Sequence, residues 1–427
     1  RNPGSSFKPF ALVAALESGI SLNSWWDSSS PKEFDCGFTC SDRGNIWTVS
    51  NAGGSRGGLM RLFDATYNSV NVVYAGLSLE IGAERIVDTA HRMGIQSELA
   101  PVPSLALGAG AVSPLEMASA YTNFATNGLW AETYIIESII APDGSAVYQH
   151  QVQRQQVIDP AIAAAARQPL EIVPVSGTAP RANIQRPQGG KTGTHQNFME
   201  AWFVGFVPQY STAVWVGFPE EQIPLRNVVI NGTPYDRVFG GSVPAPIWKE
   251  FMQILLADVS PIDFPPDPEG MSAYFVTPTT TVPDVVAMTE GGAMKTLLNA
   301  HLNGSVELVP SLEPAGAVVG QSPEAGASVA EGTTVLLQVS TGLPPEAPLP
   351  VLVGLTQPQV IEALRLFEEQ TDVVVTVTFT FVDVDNPANV GKVVATNPPA
   401  GTLVMDDSLI IVQIGDKVKN PGGGGGG

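Results

Sequence analysis

Apolar side chains at Phe7, Phe10, Ala11, Val13, Ala14 and Leu16 recur every three to four residues and stop at Ser18-Gly19. That spacing predicts a buried helix from Ser5 to Gly19. Residues 21–56 show no sustained period and read as loop-rich, with Trp25-Trp26 and a glycine-rich run from Gly53 to Gly58. Helical spacing resumes over Leu59–Tyr67, Asn71–Ile81, Ala83–Met93 and Pro114–Thr126, which predicts an all-helical subdomain. Residues 132–150 alternate instead, Tyr134–Ile140 and Ala146–Tyr148 flanking Pro142-Asp143-Gly144, the pattern of a hairpin. A helix or helix pair is expected from Pro160 to Leu170. Phe198–Phe206 and Ser211–Phe218 are rich in β-branched and aromatic residues and are joined by Val207-Pro208-Gln209-Tyr210, so a strand meander is expected from Lys191 onward. Pro244–Asp258 reads as an amphipathic helix packed on that sheet through Ile247, Phe251, Ile254 and Leu255. Trp202 and Trp215 read as core.

Past residue 260 the pattern changes. Residues 261–281 are proline-rich and poor in large apolar side chains, which is linker composition. The chain then repeats itself: Val319–Val329 matches Val394–Val404 at an offset of 75 residues, around Gln321-Ser322-Pro323 and Thr396-Asn397-Pro398. Each copy begins with a proline-containing segment and a helix, Gly292–His301 in the first and Gln357–Gln370 in the second. Each ends in a strand, Thr334–Ser340 and Ser408–Ile414. The copies span 282–342 and 349–415, and 416–427 is a flexible glycine-rich tail.

Composition adds limits to this picture. The 427 residues suit several domains, and the formal charge of −20 is uneven, with 5 basic against 19 acidic side chains after residue 260. An acidic half without a basic patch argues against nucleic acid as a partner. No uninterrupted apolar run reaches the length of a membrane span. Cys36 and Cys40 are the only cysteines. They read as a local disulfide or as two free thiols; a zinc site would need two further ligands, and no histidine lies nearby in sequence. No metal or cofactor is called for.

The candidate chemistry is carried by three short motifs. Ser5-Ser6-Phe7-Lys8 places a lysine three residues after a serine at a helix start, so both share one face. A desolvated lysine beside other positive charge spends part of its time neutral and can take the serine proton. Alone this tetrapeptide is a common helix start. Ser69-Val70-Asn71 follows 64 residues after Ser5, and Lys191-Thr192-Gly193-Thr194 lies 120 beyond Asn71. Ser69 can relay a proton to a leaving amine, and Asn71 can bind a substrate amide. Lys191 adds charge near a carboxylate, and Gly193 permits close backbone approach.

S-x-x-K, S-x-N and K-T-G in that order resemble the motif set of penicillin-binding proteins and class A β-lactamases. The flanking sequence is similar to class A penicillin-binding transpeptidases at Ala65–Asn71, Ser104–Gly110, Ser113–Tyr121 and Glu200–Phe206. The resemblance covers residues 1–260. It implies an α+β fold, an antiparallel sheet flanked by helices plus a helical subdomain, with the 282–342 and 349–415 repeats resembling PASTA modules. It implies D,D-transpeptidation of peptidoglycan stem peptides through an acyl-enzyme on Ser5, and covalent inhibition by β-lactams. Lys8 would be the base and Ser69 the relay. Asn71 and Thr194 would hold the substrate backbone, and Lys191 and Thr192 would face its carboxylate. The oxyanion hole would combine the Ser5 amide with one near His195, a residue that replaces the small polar side chain usual there. The family also implies strands before the nucleophile, a glycosyltransferase domain, a membrane anchor and a location on the cell-wall side of the bacterial membrane, none of which these residues contain. A β-lactamase would need a water-activating glutamate, and no Glu-x-x-x-Asn element is present; Glu80, Glu84, Glu98 and Glu116 sit in helical or pre-helical patterns. D,D-carboxypeptidase chemistry stays open, as does a sensing role in which the repeats bind muropeptides; their plainer reading is a spacer.

Overall fold

The computed structural model describes residues 1–36, 45–52 and 57–418. Gly53–Arg56 of the glycine-rich run, Cys40 and the Gly422–Gly427 tail lie outside the described residues. The described residues form two compact units, one holding Arg1–Thr281 with Leu298–Asn303 and Ser328–Thr333, the other the remainder from Val282 onward.

The first unit is built on a three-stranded antiparallel sheet, β1 (Gly189–Thr194), β2 (Glu200–Phe206) and β3 (Ser211–Gly217), in the order β3-β2-β1. Every residue of β2 is buried, because both faces of the sheet are covered. Trp202, Val204 and Phe206 join the core cluster of Phe7, Phe10 and Leu12, while Phe203 packs with Trp248 and Met252 on the opposite face. This is the alternation of a pleated strand made visible. The Val207–Tyr210 turn closes on reciprocal backbone bonds, Val207 N–H to Tyr210 carbonyl and back.

The helix at the start of the chain is central to that core. A 3₁₀ turn, Gly4–Phe7, runs into α1 (Lys8–Glu17), whose first nine residues are all buried. Such a segment shows no single apolar stripe because it is surrounded on every side. Around it pack α2 (Leu62–Tyr67), α3 (Asn71–Ile81), α4 (Ala83–Arg92) and α6 (Pro160–Ile172), and the Tyr121 ring of α5 (Pro114–Ala125) meets Phe10 edge-on at 6.2 Å. Helix α5 begins with a reciprocal capping box between Ser113 and Glu116, which gives Glu116 a structural task.

Several expectations are corrected. Leu59–Arg61 is a short strand paired with Trp25–Asp27, so the helix starts at Leu62. The loop-rich stretch contains a ribbon of Lys32–Asp35 with Ile46–Val49. The hairpin around Asp143 is shorter than the alternation, Ser138–Ile140 with Ala146–Gln149. The last helix of the unit, α7 (Pro244–Leu255), packs through Ala245, Trp248 and Met252, whereas Ile247, Phe251, Ile254 and Leu255 are exposed. Trp248, the largest side chain on the helix, decides which face turns inward. Residues 261–281 are no free linker: Phe264 meets the Phe206 ring at 5.7 Å, Met271 is buried in the core, and the Tyr274 carbonyl accepts the Leu22 N–H. A hairpin absent from the expectations, β4 (Arg226–Ile230) with β5 (Thr233–Arg237), follows the sheet. Cys36 is disulfide-bonded.

The two repeats fold alike. In the first, α8 (Glu290–Asn299) accompanies strands Asn303–Val309, Thr334–Ser340 and Val318–Ser322, in that sheet order. In the second, α9 (Gln357–Thr371) accompanies Thr376–Val384, Leu409–Val418 and Val393–Asn397, in the same order. The last strand in sequence is central in each sheet, and its alternate residues fill the repeat's core: Val335, Leu337 and Val339, then Ile410, Val412 and Ile414. No described helix is long and apolar enough to cross a membrane.

Candidate active site

Three pieces of chain, far apart in sequence, converge at one end of the sheet: the turn before α1, the Ser69–Asn71 junction between α2 and α3, and β1. Glycines make the convergence possible. A Cβ on Gly193 would lie 2.1 Å from the Pro3 carbonyl oxygen, and one on Gly4, at φ +55°, would lie 2.7 Å from the Thr194 carbonyl oxygen. No larger residue fits either place, so the serine-bearing turn is seated directly against the strand backbone. The neighbour that Gly193 admits is thus Pro3. Tyr121 Oη donates to the Ser6 carbonyl, and Trp202 Nε1 donates to the Asn2 carbonyl at 2.9 Å, pinning the turn from both sides.

Ser5 Oγ opens onto a cavity of about 750 Å³, also lined by Ser69, Asn71, Thr192, Thr194 and His195. It makes no hydrogen bond among the described residues. Below the cavity lie two lysines with no solvent exposure, Lys8 and Lys191. They meet on one oxygen: Ser69 Oγ is 2.8 Å from Lys191 Nζ and 3.2 Å from Lys8 Nζ. Lys8 Nζ also donates to the Ser69 carbonyl at 2.7 Å and to Asn71 Oδ1 at 2.8 Å, with the Tyr74 ring 5.2 Å away. Ser69 occupies a left-handed conformation at φ +59°, uncommon for a residue with a Cβ and characteristic of strained functional positions.

Among the described residues no carboxylate pairs with either lysine, so burial dominates their protonation. Burial, reinforced by the charge of Lys191, holds Lys8 well below the ordinary lysine range. Burial also lowers Lys191, to about 7. A neutral Lys8 has two N–H bonds and one lone pair. The Ser69 carbonyl and Asn71 Oδ1 accept the two N–H bonds, which leaves the lone pair for an incoming proton.

The remaining predicted residues lie along β1. Thr192 Oγ1 is 2.7 Å from Thr178 Oγ1, and Thr194 Oγ1 accepts the Gly240 N–H at 3.2 Å. The His195 N–H donates to the Glu200 carbonyl at 3.0 Å, so it is not available to an oxyanion. Alternation along an antiparallel ladder then turns the Thr194 N–H away from β2 and toward the Ser5 turn. The His195 ring is held by Asn2, whose Nδ2 is 3.1 Å from Nε2, while Nδ1 is buried without a partner. Asn71 Nδ2 donates to the Ser50 carbonyl. The predicted site residues therefore form one cluster.

Sequence reading missed several supports. Gly108, at φ +83°, backs onto Gly4, where a Cβ would lie 2.2 Å from the Gly4 carbonyl oxygen. Asn51 ties the wall together by accepting the Val72 N–H and donating to the Ser28 carbonyl. Thr178 was announced only by Gly177-Thr178, a small-residue pair without a motif of its own.

Comparison with known proteins agrees with this geometry. Residues 1–253 match the penicillin binding protein transpeptidase domain model, and residues 280–341 match the PASTA domain model. Penicillin-binding protein 1A of Aquifex aeolicus is 30% identical over 272 residues, covering 64% of this chain and 35% of that protein. Penicillin-binding protein 1A of Neisseria gonorrhoeae is 32% identical over 264 residues, covering 60% and 31%. The chain thus spans about a third of the length of these relatives. Among solved structures, PonA1 of Mycobacterium tuberculosis in complex with penicillin V has a TM-score of 0.54 at 29% identity, covering 63% of this chain and 73% of that one. Penicillin-binding protein 1A of Haemophilus influenzae gives 0.55 at 25% identity, covering 66% and 45%. Ser5, Lys8, Ser69, Asn71 and Lys191 all fall within the matched domain, and this chain belongs to the penicillin-binding protein transpeptidase family.

Proposed function

We propose that the chain is a serine D,D-transpeptidase of the class A penicillin-binding proteins, acting on peptidoglycan stem peptides that end in D-Ala-D-Ala. The observation that carries this reading is the meeting of two buried lysines on Ser69 Oγ beside the Ser5 turn. Ser5 Oγ attacks the carbonyl of the penultimate D-Ala as its proton passes to neutral Lys8. The oxyanion is held by the Ser5 and Thr194 N–H groups, the first at a helix start and the second on the open side of β1. The C–N bond then breaks, and the leaving nitrogen takes a proton from the Ser69 hydroxyl, which Lys8 re-supplies. An amine of a neighbouring stem peptide attacks the ester and gives its proton to Lys8, which passes it to Ser5 Oγ as the ester C–O bond breaks, restoring the free serine and neutral Lys8. Lys191 and Thr192 face the donor carboxylate, Asn71 and Thr194 its backbone, and His195 the wall beyond. β-Lactams acylate Ser5 by the same route and leave a long-lived ester.

From the family resemblance we infer that the whole protein acts in cell-wall synthesis on the outer side of the cytoplasmic membrane. We read 349–415 as a second PASTA module because its sheet order repeats that of 280–341. Neither copy gathers aromatic and polar side chains suited to muropeptides, which favours a spacer.

Intact-protein mass spectrometry after exposure to benzylpenicillin, with the labelled peptide mapped, tests the site. One slowly lost adduct on Ser5, absent from Ser5→Ala, is expected. Rapid loss of the adduct would point to a β-lactamase, and a folded sample without adduct overturns the reading. Release of D-Ala from a stem pentapeptide without cross-linked product would replace the transferase with a D,D-carboxypeptidase.

A further inference from the structure

The β4–β5 hairpin sets Arg226 directly opposite Arg237. Like charges in opposed positions destabilise a two-stranded ribbon. Both guanidinium groups nevertheless lie over one ring: Cζ of Arg226 is 4.5 Å and Cζ of Arg237 is 5.6 Å from the centroid of Phe198. Phe198 in turn meets Phe239 edge to face at 5.1 Å. To reach this position Phe198 adopts a φ of +61°, as does Asn197 before it, which is strained backbone for a bulky side chain. Phe198, Phe239 and Arg237 line the same cavity as Ser5.

The charges are poorly neutralised. Arg237 pairs only with its exposed neighbour Asp236, at 3.0 Å, and Arg226 has no carboxylate partner among the described residues. Carboxylates are plentiful elsewhere, with 41 acidic and 21 basic side chains in the chain, so the missing partners are a local property of this rim. Stacking fixes the plane of a guanidinium and leaves its N–H edge open to an anion.

We propose that Arg226 and Arg237 form a subsite for a carboxylate on the acyl donor, on the N-terminal side of the residue whose carbonyl Ser5 attacks. This rests on the transpeptidase reading above. Along β1 the chain passes Lys191 and Thr192, then Thr194, then His195 to Phe198. With the donor's terminal carboxylate at the first pair and the scissile carbonyl at Thr194, the preceding donor residues run on toward the arginine rim. The subsite selects stem peptides whose side carboxylates are free over those in which they are amidated.

Benzylpenicillin and carbenicillin differ by one side-chain carboxylate and share the ring carboxylate, so their acylation rates separate the two anions. In the Arg226→Gln/Arg237→Gln double variant, the carbenicillin-to-benzylpenicillin ratio of second-order acylation constants is expected to fall about fivefold, the size of two exposed charge contacts. In the wild type the same ratio falls as salt is raised, a measurement that needs no variant. A ratio that stays constant in both experiments overturns the subsite. A constant ratio overturns it even when both rates fall together, because the arginines would then read the shared ring carboxylate. Wild-type protein that benzylpenicillin does not acylate overturns the parent reading and the subsite with it.

Discussion

Gly193 offers the sharpest test of how the site is assembled. Replacing it by alanine puts a carbon 2.1 Å from the Pro3 carbonyl oxygen, 2.9 Å from Trp202 Cβ and 3.0 Å from Ser6 Oγ. None of these can swing aside. Pro3 offers backbone, the Trp202 Cβ is fixed by the sheet, and Ser6 Oγ donates to the Pro3 carbonyl at 2.7 Å. The turn must therefore retreat from β1 by about 1 Å, since buried packing leaves no slack. Overpacking of this kind destabilises by about 1–3 kcal/mol, or about 2–10 °C in Tm for a domain of this size. The kinetic effect is larger: a displacement of about 1 Å between reacting groups lowers a rate about 100-fold. The assay is the second-order rate of Ser5 acylation by benzylpenicillin at about 25 °C, with thermal melting beside it. At that temperature the variant remains folded, so lost activity reports displaced geometry. Acylation within about twofold of wild type, with an unchanged melting point, would refute the claim that this contact positions the nucleophile.

Other outcomes follow from the same geometry. The proposed mechanism needs Lys191 charged, so the acylation rate should fall as rising pH carries Lys191 through about 7; a profile that stays flat across that pH would contradict the assignment. Ser69→Ala removes the oxygen the two lysines share and should slow acylation about 10²–10⁴-fold without loss of fold, checked by rapid-quench labelling. Tyr121→Phe leaves the Ser6 carbonyl without its donor and should lower stability by about 1–2 kcal/mol in urea unfolding. Burial pushes the Glu116 carboxyl up, but hydrogen bonds from Ser113, Ser97 and Gln96 outweigh it and bring the group down to about 2. Its folded-state value lies below the unfolded one, so its contribution is complete above the ordinary 4.5 and is lost as pH falls toward 2; Glu116→Gln should flatten that part of the acid-unfolding curve.

Much of this was legible in the sequence because the chemistry is written in short motifs whose order survives folding. Ser5, Lys8, Ser69, Asn71 and Lys191 are named by S-x-x-K, S-x-N and K-T-G, and α3 begins and ends at the residues its spacing predicts, Asn71 and Ile81. The misreadings have a common origin in tertiary context. On α7 the apolar residues outnumber what one face can bury, and a single tryptophan, Trp248, decides between faces. On the 261–281 segment, proline content hid four aromatic or sulfur anchors, Phe264, Met271, Tyr274 and Phe275, that fold back on the core. Backbone donors are invisible to composition altogether. That His195 spends its N–H on Glu200, while the Thr194 N–H faces away from β2, is a property of ladder register and of no side chain.

The same distinction explains why the site needs so few charged residues. Among the described residues neither lysine has a carboxylate to hold its proton, and each is fully buried. Two ammonium groups sharing one serine oxygen would repel strongly in that setting, so at most one is charged at a time. Burial lowers both lysines, and the charge of Lys191 lowers Lys8 further. In the proposed mechanism the division of labour between base and electrostatic partner follows from placement: Lys8 has two carbonyl oxygens to accept its N–H groups, and Lys191 has a hydroxyl and the Thr192 carbonyl. A carboxylate introduced beside Lys8 would reverse the assignment by restoring its proton. Asn71→Asp does this with minimal change of shape, at the atom 2.8 Å from Lys8 Nζ. The variant should fold, keep the cleft, and acylate about 100-fold more slowly at neutral pH. Retention of wild-type acylation in Asn71→Asp would mean that the proton on Lys8 does not control the nucleophile.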